Sequence, residues 1–155
     1  MSTQQRHILP DLAAMDALGR RIAAGLQAGD VVALEGGLGA GKTTLARAVL
    51  AALGHAGEVP SPTFTIIETY DAPPLRTAVA HADFYRLEDP EEALEIGLDD
   101  YREGAALLAE WPQNAGGFEH EPGCLSIRLE KRSESGEDGR IAIARGGADW
   151  LERMP

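Results

Sequence analysis

The sequence predicts an α/β fold in three layers: helices on both faces of a mixed, mainly parallel sheet, with an antiparallel hairpin at the C-terminal end. Three observations predict it. Short apolar runs interleave with helical periodicities from Asp11 to Glu110, the pattern of strand–helix–strand units. One of those units carries an uninterrupted glycine-rich loop, Gly36-Gly37-Leu38-Gly39-Ala40-Gly41-Lys42-Thr43. The C-terminal part holds two alternating runs separated by a polar turn, which reads as a hairpin. At 155 residues the chain is expected to form a single domain, 1–155.

Taken in order, Asp11 is placed to cap a helix running to about Gln27, with Leu12, Met15, Leu18 or Gly19, Ile22 and Leu26 near one face and Gly29 closing it. Val31-Val32-Ala33-Leu34 is a short buried strand. The loop follows, and Thr44 to Leu53 is a helix burying Leu45, Val49 and Leu53 before Gly54 stops it. An irregular stretch, 55–62, leads to a β-branched and aromatic run, Thr63 to Tyr70, hence a strand. Thr77 to Asp83 is a second central strand that ends on a carboxylate. Asp89-Pro90-Glu91-Glu92 opens a short helix ending at Gly97. Ala105 to Glu110 is a third apolar strand, again ending on a carboxylate, and Trp111-Pro112 breaks it. Leu125 to Glu130 and Arg140 to Arg145 alternate, 133–139 is the turn between them, and Ala148 to Met154 is a last helical turn or two.

Strand, G-x-x-x-x-G-K-[ST], helix is the context in which this loop grips phosphate. Glycines let the backbone curl so that its N–H groups face phosphate oxygens, and the positive end of the next helix adds to the attraction. Lys42 is expected on the β- and γ-phosphates and Thr43 on Mg²⁺. The chain has only two lysines, Lys42 and Lys131, and the first completes the motif. Asp83 and Glu110 are both predicted at carboxyl ends of strands, where ligands of such sheets bind and where a second metal anchor belongs. Guanine readers usually carry Asn-Lys-x-Asp; Lys131 is followed by Arg132-Ser133, so ATP is favoured over GTP.

Other residues read more plainly. His81 is first of all a core or edge histidine, and four histidines and one cysteine offer no zinc spacing. Spacing alone makes Ser61-Pro62-Thr63 a turn entering a strand, with a switch-like threonine as the alternative. Trp111 is either core or a flank of the nucleotide. Cys124 is a small buried hydrophobe. The net charge of −11 argues against a broad grip on nucleic acid. Between Leu87 and Ile127 there are eleven acidic residues and one basic residue, Arg102, which makes a solvated face or, alternatively, a docking surface for a basic partner. No apolar run is long enough to span a membrane, no signal peptide is visible, and a lone cysteine fits a reducing cytoplasm.

The loop with Thr44 behind it, then Ser61-Pro62-Thr63-Phe64, then His81-Ala82-Asp83-Phe84-Tyr85-Arg86-Leu87, then Glu110-Trp111-Pro112, resembles the TsaE (YjeE) family of small bacterial ATPases. The resemblance runs from about Ile8 to Pro112. It implies a phosphate-loop NTPase-like fold that binds ATP and Mg²⁺ and hydrolyses ATP slowly, in the pathway to threonylcarbamoyladenosine in tRNA. It implies TsaB and TsaD as partners, with tRNA met only indirectly. By the same resemblance residues 36–44 cradle the phosphates, Lys42 is the phosphate lysine, and Thr43 and Glu110 hold the metal. Asp83 serves hydrolysis, Thr63 belongs to a switch-like loop, and Trp111 lies beside the nucleotide. One departure is Gly37, where many members have Asp; that position supplies backbone, so little effect is expected. Two rival readings share the phosphate loop: a small-molecule kinase, disfavoured by the scarcity of arginines for a lid, and a nucleotide-dependent binding module without significant turnover.

Overall fold

The computed structural model describes residues 3–62, 66–132 and 139–155. Among the described residues seven strands form one sheet: β1 (Thr3–Leu9), β2 (Val31–Glu35), β3 (Ile67–Tyr70), β4 (Val79–Asp83), β5 (Ala106–Glu110), β6 (Cys124–Lys131) and β7 (Arg140–Gly146). Their spatial order is β1-β7-β6-β2-β5-β4-β3. The four inner strands β6, β2, β5 and β4 run parallel, and β7, β1 and β3 are added antiparallel at the flanks. Strands buried on both faces must be apolar throughout, which is why β2 reads Val-Val-Ala-Leu and β5 reads Ala-Leu-Leu-Ala before their terminal acids.

Helices α1 (Leu12–Gly25) and α2 (Lys42–Leu53) cover one face; α3 (Glu91–Glu95) and α4 (Leu98–Arg102) cover the other. Val32 and Leu34 of β2 join Leu18, Ile22, Leu45 and Val49 in the first core, whereas Val31 and Ala33 join Phe84, Leu98 and Phe118 in the second. The side-chain period of 2 along each strand divides the layers in this way. Asp11 caps α1, its Oδ1 accepting from Ala14 N at 2.9 Å. Gly19 is where α1 crosses α2: a Cβ there would lie 2.4 Å from Ala48 Cβ, so only glycine lets the helices approach this closely.

The structure departs from the sequence expectations in a few elements. α1 ends at Gly25, because Leu26 is extended and turns into the core. β1 was not anticipated; its alternating half-buried pattern follows from pairing with β7, Leu9 facing Arg140. α4 is also new, a separate turn that starts after Gly97 in a left-handed conformation. β4 begins at Val79, two residues later than expected, and the last helical turn is a 3₁₀ segment at Ala148–Trp150. Of the expected strand 63–70, residues 67–70 form β3 and Ile66 is a bend at φ 68°; Thr63 itself and most of the hairpin turn lie outside the described residues.

Register fixes the site. Asp83 pairs with Glu110 across β4 and β5, and Leu34 pairs with Glu110 across β2 and β5. The phosphate loop, leaving β2 one residue later, therefore emerges beside both acids.

Candidate nucleotide site

The loop between β2 and α2 turns on glycines held at positive φ: Gly36 at 143°, Gly39 at 75° and Gly41 at 109°. Gly36 has a second constraint, because a Cβ there would meet Leu129 O at 2.6 Å. At Gly37 a Cβ would meet nothing within 4 Å, so the position tolerates a side chain, as its backbone role implies. Gly41 precedes α2 without any side-chain cap, which leaves the first N–H groups of the helix for a ligand. Arg140 steadies the loop from the hairpin: Nε donates to Ala40 O at 2.9 Å and Nη2 to Gly39 O at 3.0 Å.

Lys42 is buried, 5% exposed. Its Nζ donates to Gly36 O and Gly37 O, both at 2.8 Å, and lies 4.4 Å from the centre of the Trp111 ring. An ammonium has three donors, so one N–H remains beyond the two carbonyls. Burial pushes the Lys42 pKa below its ordinary value, and the carboxylates of Glu110 and Asp83 act in the opposite direction.

Glu110 is 2% exposed and bonded through both oxygens. Thr43 Oγ1 donates to Oε1 at 2.7 Å, and His81 Nε2 lies 2.7 Å from Oε2. Asp83, 7% exposed, accepts from Tyr85 N at 2.9 Å, which fixes its carboxylate at the strand end. Trp111 sits in a left-handed conformation, φ 55° and ψ 51°, which swings its ring back over Lys42 and against Tyr85 at 4.9 Å between ring centres. Asn114 Nδ2 donates to Phe84 O and Tyr85 O at 3.1 and 3.3 Å, tying the loops after β4 and β5 together.

A cavity of about 260 Å³ is lined by residues 38–44 with Asp83, Glu110 and Trp111. A larger groove of about 640 Å³ adjoins it through Gly39, Gly41 and Thr44, and is walled by Leu9, Pro10, Leu12, Met15 and Arg140. The smaller space is where loop N–H groups, a cation and acids converge, an arrangement that suits phosphates. The larger, more apolar one has room for a base and ribose.

The donor set fits Mg²⁺. Thr43 Oγ1 and Glu110 Oε1 are hard oxygens side by side, and among the described residues no cluster of three His, Cys, Asp or Glu could cage a metal alone. Mg²⁺ is usually held in this way, by one or two protein groups and the phosphates of its nucleotide.

Of the residues expected from sequence, 36–44, Asp83, Glu110 and Trp111 are thus brought together, and Trp111 flanks the cavity rather than filling the core. Thr63 is outside the described residues. Sequence reasoning missed two contributors. His81 is a core histidine, as the sequence suggests, but it is also bonded to Glu110; the i, i+2 spacing from Asp83, which puts both on one face of β4, is the signal for it. Arg140 had no local signal, since its link to the loop spans 100 residues.

Fold and site together define a nucleotide-binding protein of the phosphate-loop α/β class. Comparison with known proteins narrows this. The model of the family described as threonylcarbamoyl adenosine biosynthesis protein TsaE matches residues 9–141. The chain belongs to the TsaE family. A Haemophilus influenzae protein named tRNA threonylcarbamoyladenosine biosynthesis protein TsaE is 44% identical over 89 residues, 57% of this chain and 55% of its own length. The Bacillus subtilis protein of the same name is 45% identical over 96 residues, 61% and 58% of the two chains. The Mycobacterium tuberculosis one is 38% identical over 135 residues, 81% and 77%. The chain thus spans little more than half the length of the first two relatives. The crystal structure of Bacillus subtilis YdiB superposes with a TM-score of 0.78 at 27% identity, covering 99% of this chain and 93% of that one.

Proposed function

We propose that this chain is a weak Mg²⁺-dependent ATPase, one domain spanning 1–155, that serves the biosynthesis of N6-threonylcarbamoyladenosine in tRNA. It acts in the cytoplasm with TsaB and TsaD and allows repeated threonylcarbamoyl transfer to the adenosine beside the anticodon. The observation that carries the catalytic half is the convergence of Lys42, Thr43, Asp83 and Glu110 on one cavity of about 260 Å³. The pathway half rests on family membership and the names of the relatives.

In this reading the N–H groups of residues 36–44 cradle the phosphates, and the remaining N–H of Lys42 meets the β- and γ-phosphate oxygens. Mg²⁺ supplies charge neutralisation on those oxygens when bound. Thr43 donates a hydrogen bond to Glu110, which leaves the hydroxyl oxygen's lone pairs free to face the ion. Asp83 accepts a hydrogen bond from the attacking water and orients it. Trp111 shields Lys42 from solvent, and the family resemblance assigns Thr63 a switch-like role. A net charge of −11 suits a protein that meets tRNA only through its partners. A kinase lid finds no support in the acidic stretch, because Arg102 is paired with both oxygens of Glu121 at 3.0 and 2.5 Å.

ATP binding and phosphate release by the purified chain test the reading. Wild type should bind ATP with Mg²⁺ and release phosphate slowly. Lys42→Ala should lose about tenfold or more in ATP affinity, since a hydrogen bond to a charged group is worth about 1.5–3 kcal/mol. Asp83→Asn should bind ATP normally and release almost no phosphate. Unchanged ATP affinity in Lys42→Ala would overturn the assignment of the cavity.

A further inference from the structure

Glu110 has a second anchor that ATP binding and hydrolysis as derived above leave unused. Along β4 the side chains of Val79, His81 and Asp83 face α2, and along β5 those of Ala106, Leu108 and Glu110 do the same. His81 is fully buried in that layer, two register positions behind Asp83 on the same face. Its Nε2 lies 2.7 Å from Glu110 Oε2, while its Nδ1 has no hydrogen-bond partner among the described residues. A proton on Nδ1 would sit unpaired in the core and leave Oε2 without a donor. A proton on Nε2 meets a carboxylate at short range, so the environment selects that tautomer.

The consequence reaches the cavity. A glutamate has three side-chain torsions, and a carboxylate held by one oxygen still rotates about the last of them. Glu110 is held by two: Oε2 by His81 and Oε1 by Thr43 at 2.7 Å. Fixing Oε1 fixes where Thr43 points its proton, and hence where the hydroxyl oxygen points its lone pairs. We propose that His81 is a positioning residue, which by donating to Glu110 Oε2 holds the Glu110–Thr43 pair in the orientation that receives a nucleotide-bound divalent cation. The inference rests on the Mg²⁺–nucleotide reading of the site.

The test uses the full chain and a fluorescent ATP analogue, titrated in EDTA and then against Mg²⁺. His81→Leu keeps much of the volume and removes the donor; His81→Gln keeps a donor at the Nε2 position. His81→Leu should bind the analogue in EDTA as wild type does, with its Mg²⁺ midpoint raised roughly tenfold to a hundredfold, the usual effect of losing a group that orients a metal ligand. His81→Gln should stay close to wild type. A residue that only filled space would give the opposite ranking, with Leu tolerated. A folded His81→Leu with the wild-type Mg²⁺ midpoint overturns the proposal. Should the Leu variant not fold, nitrogen NMR on wild type decides: the Nε2–H tautomer of His81 is expected, and an Nδ1–H tautomer overturns the proposal. If wild type shows no Mg²⁺-dependent binding, the nucleotide reading fails and takes this one with it; loss confined to His81→Leu leaves that reading intact.

Discussion

Single residues in this site work through where their neighbours hold them. Lys42 is known from its motif, yet the two carbonyls that aim it and the Trp111 ring above it are visible only in the folded chain. The motif was legible because a phosphate loop is local: one strand, eight residues and one helix define it. The His81–Glu110 bond was not, because it joins residues 29 apart through sheet register. Cys124 allows a prediction at the same scale. It is 3% exposed, and burial, with Glu121, Glu119 and Glu35 nearby, pushes its thiol up to about 12. The folded state therefore keeps the thiol proton above pH 9, where the unfolded chain gives it up. Stability falls with rising pH in that window, by about 1.4 kcal/mol per unit for this one group. Denaturant unfolding of wild type against Cys124→Ala between pH 8 and about pH 11 should show that extra slope in wild type only, and parallel curves would contradict it.

Elements were legible in proportion to how much apolar surface they own. β2 and β5 are apolar runs buried on both faces, β4 is a fully buried strand in which Val79, Ala80 and Ala82 flank His81, and α1 and α2 carry apolar stripes, so pattern alone located them. β1 is mostly polar, and its strand geometry comes from β7 rather than from its own residues. α4 buries only Leu98, too little for a periodic signal. The tight crossing of α1 and α2 was hidden for another reason: Gly19 looks like a weak point in a helix until Ala48 is seen 2.4 Å from where its Cβ would be. Gly19→Leu should separate the two helices and cost about 1–3 kcal/mol or more through overpacking. Because α2 begins at Lys42, ATP affinity should fall along with the melting temperature. A stable Gly19→Leu with normal ATP binding would contradict the rigid coupling of α1 to the site.

At the scale of the whole molecule, a parallel four-strand centre puts a phosphate loop, two acids and an aromatic at one edge, and the antiparallel hairpin braces the loop through Arg140. Sequence predicted the layers and the edge. It did not predict the hairpin's brace, which depends on a 100-residue closure. The acidic stretch lies mostly solvent-exposed on α3 and α4, as a solubilising face does. The proposed function couples ATP turnover to a tRNA-modifying machine. The most direct measurement is tRNA threonylcarbamoylation by purified TsaB and TsaD over multiple turnovers, with and without this chain. Product exceeding one equivalent per TsaB–TsaD only when the chain and hydrolysable ATP are both present, and lost with Lys42→Ala, is the predicted result. Equal multiple-turnover modification without the chain would contradict the account.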